Sequence, residues 1–255
     1  MNNNKYRATA VSYLNTKPFL YGLLKTGLGK QIDLQLNIPS EGAQKLRSRA
    51  VDFGLVPVAI LPEIPNARVF SDYCIGTTGA VKTVCIYSDR PIEELTHLYL
   101  DYHSRTSVAL TKILLREYWQ LYPQLISARA GYIEGIGGAV GGLVIGDRTI
   151  GLEDRHEYVY DLGEIWQTFT GLPFVFAAWV SIQPLPEAFV HRFNHAMKVG
   201  LDSIPELMYL MPNQSPHFDL ERYFKEFISY DFTEDKRQSL DLFLKKIEEE
   251  EMMLV

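Results

Sequence analysis

Two hydrophobic periods take turns along the first 180 or so residues. Residues 7–12 gather small and β-branched side chains after a polar start, which predicts a strand. Residues 16–24 place Phe19, Leu20, Leu23 and Leu24 at helical spacing, with Pro18 in the first turn, where its missing N–H is harmless. Gly27 and Gly29 stop that helix. The stretch "IDLQLN" at 32–37 alternates strictly, the mark of a half-buried strand. Ser40-Glu41-Gly42 then opens a helix with Ala43, Leu46 and Arg47, and in "VDFGLVPVAIL" residues 53–56 read as strand before Pro57 begins a short helical segment.

The same exchange continues. "AVKTVCIY" at 80–87 predicts a strand, 91–95 a short helix start, and "LYLD" at 98–101 a buried strand ending in an acid. "HSRTSVALTKILLREYW" carries Val108, Leu110, Ile113, Leu114 and Leu115 on a helix with a hydroxyl-rich first turn. Residues 143–147 repeat the apolar strand followed by Gly and an acid, and 174–182 are almost continuously apolar. Four helical stretches close the chain at 186–200, 202–211, 220–230 and 233–251, the last ending in "KKIEEEE", a solvated face.

Short strands alternating with helices predict an α/β fold with a largely parallel sheet. The closing helices have no strand partners of their own. A late apolar strand suits a chain that crosses back to its first lobe. The expected architecture is therefore two α/β lobes, the second inserted into the first, with residues 1–87 and 178–255 in one lobe, 88–177 in the other, and a ligand cleft between them.

Composition narrows the function classes. The chain has 255 residues, 47% hydrophobic and 22% charged, as in ordinary soluble globular proteins. A net charge of −6 argues against nucleic acid or an anionic membrane as partner. The N-terminal "MNNNKYRATAV" lacks a charged segment followed by an apolar one, so a cytoplasmic location is expected. Cys74 and Cys85 sit in apolar contexts and read as reduced core residues, with a disulfide as the alternative.

Ligands of open α/β sheets bind beyond the carboxyl ends of strands. The residues at those junctions are Ser12-Tyr13-Leu14-Asn15-Thr16, Pro39-Ser40-Glu41-Gly42, Ser104-Arg105-Thr106-Ser107 and Gly146-Asp147-Arg148. "HSRTS" combines hydroxyls and an arginine with a helix N-terminus, whose free N–H groups and positive dipole end suit a carboxylate or phosphate. Ser104 or Thr106 could equally serve as a simple helix cap. Asn15 alone reads as a turn or cap residue before Pro18, Thr83 as a β-branched strand residue, and Lys17 as a surface charge. Asp147 either orients Arg148 or caps a turn.

Other motifs fail on spacing. The glycines of "GYIEGIGGAVGG" precede a strand instead of following one, and Val140 stands three residues after Gly137, so they mark a turn or hinge and not a dinucleotide loop. There is no P-loop, C-x-x-C, H-E-x-x-H or G-x-S-x-G. His97, His103, His156 and His217 are scattered, and His191 and His195 stand four apart on a helix, a spacing more often solvated than metal-bound. An enzyme with this sequence would work without an obvious cofactor or triad.

"VSYLNTKPFLYGL" resembles the opening of the menaquinone biosynthesis enzymes of the futalosine pathway, in their chorismate dehydratase branch. "VDFGLVPVAIL", "GAVKTVCIYS", "DYHSRTSVALTKILL", "LVIGDRTI" and "DLGEIWQTFTGLPFVFAAWV" extend the resemblance over about residues 6–182. The sister branch opens with a Cys-Pro-Asn-Asp type sequence, which "YLNTKPF" does not match. The resemblance implies a two-lobed periplasmic-binding-protein-like (type II) fold with a central cleft, and dehydration of chorismate to 3-[(1-carboxyvinyl)oxy]benzoate. It implies catalytic roles for Asn15, the motif asparagine, and Thr83, which stands where many relatives carry serine. Ser104, Arg105, Thr106 and Ser107 match the family's SRTS helix start. With Ser12, Gly146 and Asp147 from the junctions, they form the expected substrate-binding set. A non-catalytic solute-binding protein of the same fold and the sister dihydroxynaphthoate-forming enzyme of the pathway are the alternatives.

Overall fold

The computed structural model describes residues 5–211 and 218–253, so His217 lies outside the described residues. Among these, eleven strands form two mixed sheets. The first contains β1 (Tyr6–Val11), β2 (Ile32–Asn37), β3 (Phe53–Pro57), β4 (Arg68–Thr77), β10 (Phe174–Ser181) and β11 (Ser229–Asp231), in the order β11-β4-β10-β3-β1-β2. The second contains β5 (Val84–Ser88), β6 (His97–Leu100), β7 (Gln124–Ser127), β8 (Val140–Ile145) and β9 (Tyr158–Asp161), in the order β7-β6-β8-β5-β9. The chain leaves the first sheet after Thr77 and returns to it at Phe174. Sheet membership therefore does not follow borders at 87/88 and 177/178, because β5 belongs wholly to the second sheet and β10 wholly to the first.

The largely parallel sheet expected from the pattern is corrected. β1 pairs in parallel with β2 and β3, and β6 with β7 and β8. β10 runs antiparallel to β3 and β4, as β5 does to β8 and β9. These antiparallel strands are the ones on which the chain crosses between sheets, so their direction is set by the crossings and not by a βαβ unit.

The helices are α1 (Lys17–Lys25), α2 (Pro39–Arg47), α3 (Arg105–Ile113), α4 (Leu162–Thr170), α5 (Glu187–Asp202), α6 (Ile204–Leu210), α7 (Leu220–Arg222) and α8 (Glu234–Met253). None of the described helices is long and apolar enough to cross a membrane. α1 and α5 pack backbone to backbone: a Cβ on Gly22 would lie 1.9 Å from the Ala196 carbonyl oxygen, and one on Gly200 would lie 2.0 Å from that of Pro18. This contact fixes α1, and with it the turn that precedes it. Trp166, Trp179, Phe53, Phe174, Phe193 and Phe243 are fully buried in the main core, each worth roughly 2–3 kcal/mol of transfer free energy. Cys74 and Cys85 are both free and buried, as expected from their contexts.

Two segments depart from the pattern. Residues 64–79 suggest no element, yet they hold the ten-residue β4, whose Ser71, Asp72 and Gly76 interrupt the apolar alternation. Residues 220–230, expected as one helix, instead form the single turn α7, a wider helical turn at Tyr223–Phe227, and then β11. β11 adds to the edge of the first sheet, so the closing helices do carry a strand among them. Lys236 on α8 secures this segment. Its buried ammonium donates to the Ser229 carbonyl (2.6 Å), Ser229 Oγ (2.8 Å) and the Asp231 carbonyl (2.7 Å).

Candidate active site

The chain after β1 turns at once into a tight 3-10 turn, Leu14–Thr16, because Pro18 at the start of α1 needs no N–H partner there. The chain after β6 turns into α3, capped by Ser104, whose Oγ accepts from the Ser107 N–H at 3.3 Å. The two turns come from different sheets and meet at one cavity of about 50 Å³. Asn15, Thr83, Ser104, Ser107 and Gly146 line it, beside Tyr13 and an apolar wall that includes Val11, Ile145 and Phe176.

Thr83 is not mid-strand. Residues 80–83 form the turn between the sheets, with Lys82 at φ +65°, and the strand begins only at Val84. The Asp161 carboxylate gathers the amides of Val81 (2.9 Å) and Lys82 (2.7 Å) and so shapes this turn. Its burial raises the carboxyl pKa despite those bonds. Thr83 Oγ1 lies 2.9 Å from the hydroxyl of the buried Tyr223.

Four expected binding residues do not line the cavity. Ser12 is exposed, with its amide donating to the Asn37 carbonyl at 3.0 Å. Arg105 points outward and pairs with Glu63 at 2.5 Å, its side chain 51% exposed. Helix geometry explains this: Ser104 and Ser107 share a face at i, i+3, and Arg105 projects well round the helix from it. Thr106 is buried, but its Oγ1 accepts from the Ala59 N–H at 3.1 Å and pins α3 to the first sheet's side. Asp147 accepts from the Leu14 N–H at 3.0 and 3.2 Å. It caps the Asn15 turn from the opposite sheet and leaves Arg148 to Asp101.

Asp101 is the polar hub of the second sheet. Its buried carboxylate accepts from the His103 N–H (2.8 Å), Tyr132 hydroxyl (2.8 Å), Ile145 N–H (3.1 Å) and Arg148 Nη2 (2.5 Å). Burial, then the Arg148 charge, lowers the His103 pKa, so the ring is neutral near pH 7 and its Nδ1 can accept from the Tyr13 hydroxyl across the sheets. Burial drives the Tyr13 phenol well above its usual range. Tyr13 is the one titratable side chain among the described residues lining the cavity. Gly146 sits at φ +66°, and a Cβ there would fall 2.6 Å from the Tyr13 ring, so the ring rests directly on backbone.

The sequence reading missed Tyr13, Tyr223 and Tyr230. Tyr13 stood inside the opening motif. The other two approach from the far end of the chain: the Tyr230 hydroxyl donates to the Asn15 carbonyl at 3.0 Å, 215 residues away. His191 and His195 are exposed on α5. Among the described residues, no group of three His, Cys, Asp or Glu is placed to hold a metal ion.

The sequence model of the menaquinone biosynthesis family matches residues 6–249. The chain belongs to this family. It is 30% identical over 190 residues to the chorismate dehydratase of Thermus thermophilus, covering 67% of this chain and 69% of that one. Its fold is that of periplasmic binding proteins, with two sheets and closing helices. The structure of AF1704 from Archaeoglobus fulgidus matches with a TM-score of 0.69 at 16% identity over 100% of both chains. The periplasmic aliphatic sulphonate binding protein SsuA of Escherichia coli matches with a TM-score of 0.57 at 13% identity, over 95% of this chain and 92% of that one.

Proposed function

We propose that this protein is a cytoplasmic hydro-lyase of the futalosine route to menaquinone that dehydrates chorismate to 3-[(1-carboxyvinyl)oxy]benzoate. The observation that carries the reading is the kinship with a chorismate dehydratase, joined to a cavity where Asn15, Thr83, Ser104 and Ser107 converge. The two sheets are the cores of two lobes, and the substrate binds between them. A cavity of about 50 Å³ is too small for a ten-carbon dianion, since even benzene occupies an engineered cavity of about 150 Å³. The lobes must part to admit substrate, and their closure then excludes water.

Chorismate carries a hydroxyl at C4 and a hydrogen at C3. Losing both as water makes the ring aromatic. Charge developing at C3 delocalises into the ring carboxylate, and the α3 N-terminus is the anion seat on offer. The Ser107 amide is already capped by Ser104 Oγ, so the seat rests on the amides ahead of it and on the Ser104 and Ser107 hydroxyls beside them. Arg105 has no part in that seat. Asn15 and Thr83 hold the rest of the substrate near the reacting carbons. In this reading the substrate's own side-chain carboxylate removes the C3 proton, with the protein fixing its conformation.

The test is to mix purified protein with chorismate and analyse the products by mass and ultraviolet absorbance. Loss of one water with formation of an aromatic ring supports the reading. Saturable binding without turnover would assign the chain to solute binding instead.

A further inference from the structure

Asn15 and Thr83 face the cavity, but the group behind them comes from the C-terminal segment. We propose that Tyr223 is a positioning residue for the dehydration, a reading that rests on the function proposed above: its hydroxyl donates to Thr83 Oγ1 and so turns the Thr83 proton into the cavity, toward an oxygen of the substrate.

The argument is a count of protons. A neutral phenol has one proton to give and a lone pair to receive with. Tyr223 is 1% exposed, and burial pushes its phenol up, so it keeps that proton. One side chain meets its oxygen within hydrogen-bond distance, Thr83 at 2.9 Å. Thr83 Oγ1 donates to the Val81 carbonyl at 3.4 Å, so the hydroxyl proton of Thr83 is turned away from Tyr223 and the phenol proton goes to Thr83. The Val81 contact is long and weak. A substrate oxygen in the cavity offers a better one. The pair Tyr223 to Thr83 thus has a direction and ends as a donor on the cavity wall.

The surroundings hold Tyr223 in place for this. The Tyr230 hydroxyl fixes the Asn15 backbone, and Lys236 ties β11 to α8, so the segment carrying both tyrosines is anchored on each side. Thr83 and Tyr223 are 140 residues apart, and nothing in the local sequence joins them.

The experiment compares wild type, Tyr223→Phe, Thr83→Val, Thr83→Ser and the double variant Tyr223→Phe/Thr83→Val in steady-state turnover of chorismate. Phe is the right substitution, because the Tyr223 ring also walls a neighbouring cavity of about 390 Å³ that Ala would open. Tyr223→Phe is expected to lower kcat about tenfold or more with KM within about threefold, while Thr83→Ser stays within about threefold of wild type. The double variant is expected to be no slower than Thr83→Val, since Tyr223 acts only through that hydroxyl. A Tyr223→Phe kcat within about twofold of wild type overturns the proposal, as does a double variant whose loss is the product of the two single losses. If Phe at 223 prevents folding, site-specific 3-fluorotyrosine keeps the ring and strengthens the donor. It is expected to change kcat at constant KM, and an unchanged kcat is the overturning result. Failure of wild type itself to turn over chorismate sinks the functional reading, an outcome distinct from all of these.

Discussion

The turn after β1 and the turn after β6 meet at the same cavity, yet they are held in opposite ways. The β6 turn takes its cap from its own neighbours: Ser104 caps α3 through Ser107, three residues on. The β1 turn has no side-chain cap of its own. Asp147 caps it from the other sheet, Gly146 seats its Tyr13 ring, and Tyr230 fixes its backbone. One turn carries its cap with it, although Thr106 and His103 also reach groups on the first sheet's side. The other takes its shape from groups that arrive only when the rest of the fold is assembled around it. Damage to remote partners should therefore reach Asn15 and spare Ser104.

The sharpest way to break this contrast is Gly146→Ala. Alanine at φ +66° costs about 1–2 kcal/mol in backbone strain. Its Cβ would also fall 2.6 Å from the Tyr13 ring, and overpacking of that kind costs about 1–3 kcal/mol. A total loss of about 2–5 kcal/mol is expected in urea unfolding, together with a raised KM for chorismate. A loss under about 0.5 kcal/mol would mean that the ring does not rest on this glycine.

The same contrast explains what could be read from the chain. The "SRTS" cap, the alternation of 32–37 and the apolar run that became β10 are local, and local spacing revealed them. Asn15 and Thr83 were singled out by resemblance, and the structure brings them to one cavity. Type and spacing say that Arg105 is a charge near a helix start but not which way it points, and the structure turns it to Glu63 and not into the cavity. Tyr223 and Tyr230 were invisible for another reason. Their bonds span 140 and 215 residues, and their segment reads as one more amphipathic helix. β4 escaped because it is covered on both faces in part and broken by polar positions, so no single period describes it.

A smaller and more discriminating effect is expected from Asp147→Asn. The amide oxygen can still accept from the Leu14 N–H, so the cap survives, while a buried charge is removed. Stability near pH 7 should stay within about 1 kcal/mol of wild type. The pH dependence separates the two proteins. Burial raises the folded pKa of Asp147 above 3.8, so the folded state binds this proton more tightly than the unfolded chain. The stability it contributes is present below the unfolded pKa and is lost as pH rises through the folded one. Melting temperatures measured from pH 3.5 upward, about the usual carboxylate range, should therefore show the variant gaining on wild type as pH rises. A gain in the opposite direction would mean that the charged carboxylate stabilises the cap.

The smallest effect is expected at Arg105, whose neighbours Ser104 and Ser107 line the cavity while it does not. Its ion pair with Glu63 is half-exposed, and such pairs are worth about 0.2–1 kcal/mol. Arg105→Ala should leave kcat unchanged and KM within about twofold at physiological salt. Any residual effect has a physical source other than contact: a cation next in the chain to the cavity-lining Ser104, in a protein with net charge −6, helps to draw in a dianion. That contribution acts through solvent and fades when the Debye length falls to about 3 Å at 1 M salt. Turnover measured across a salt series therefore separates steering from contact. A raised KM that persists at high salt would place Arg105 on the substrate once the lobes close on it, and the outward pairing with Glu63 would then not describe the bound state.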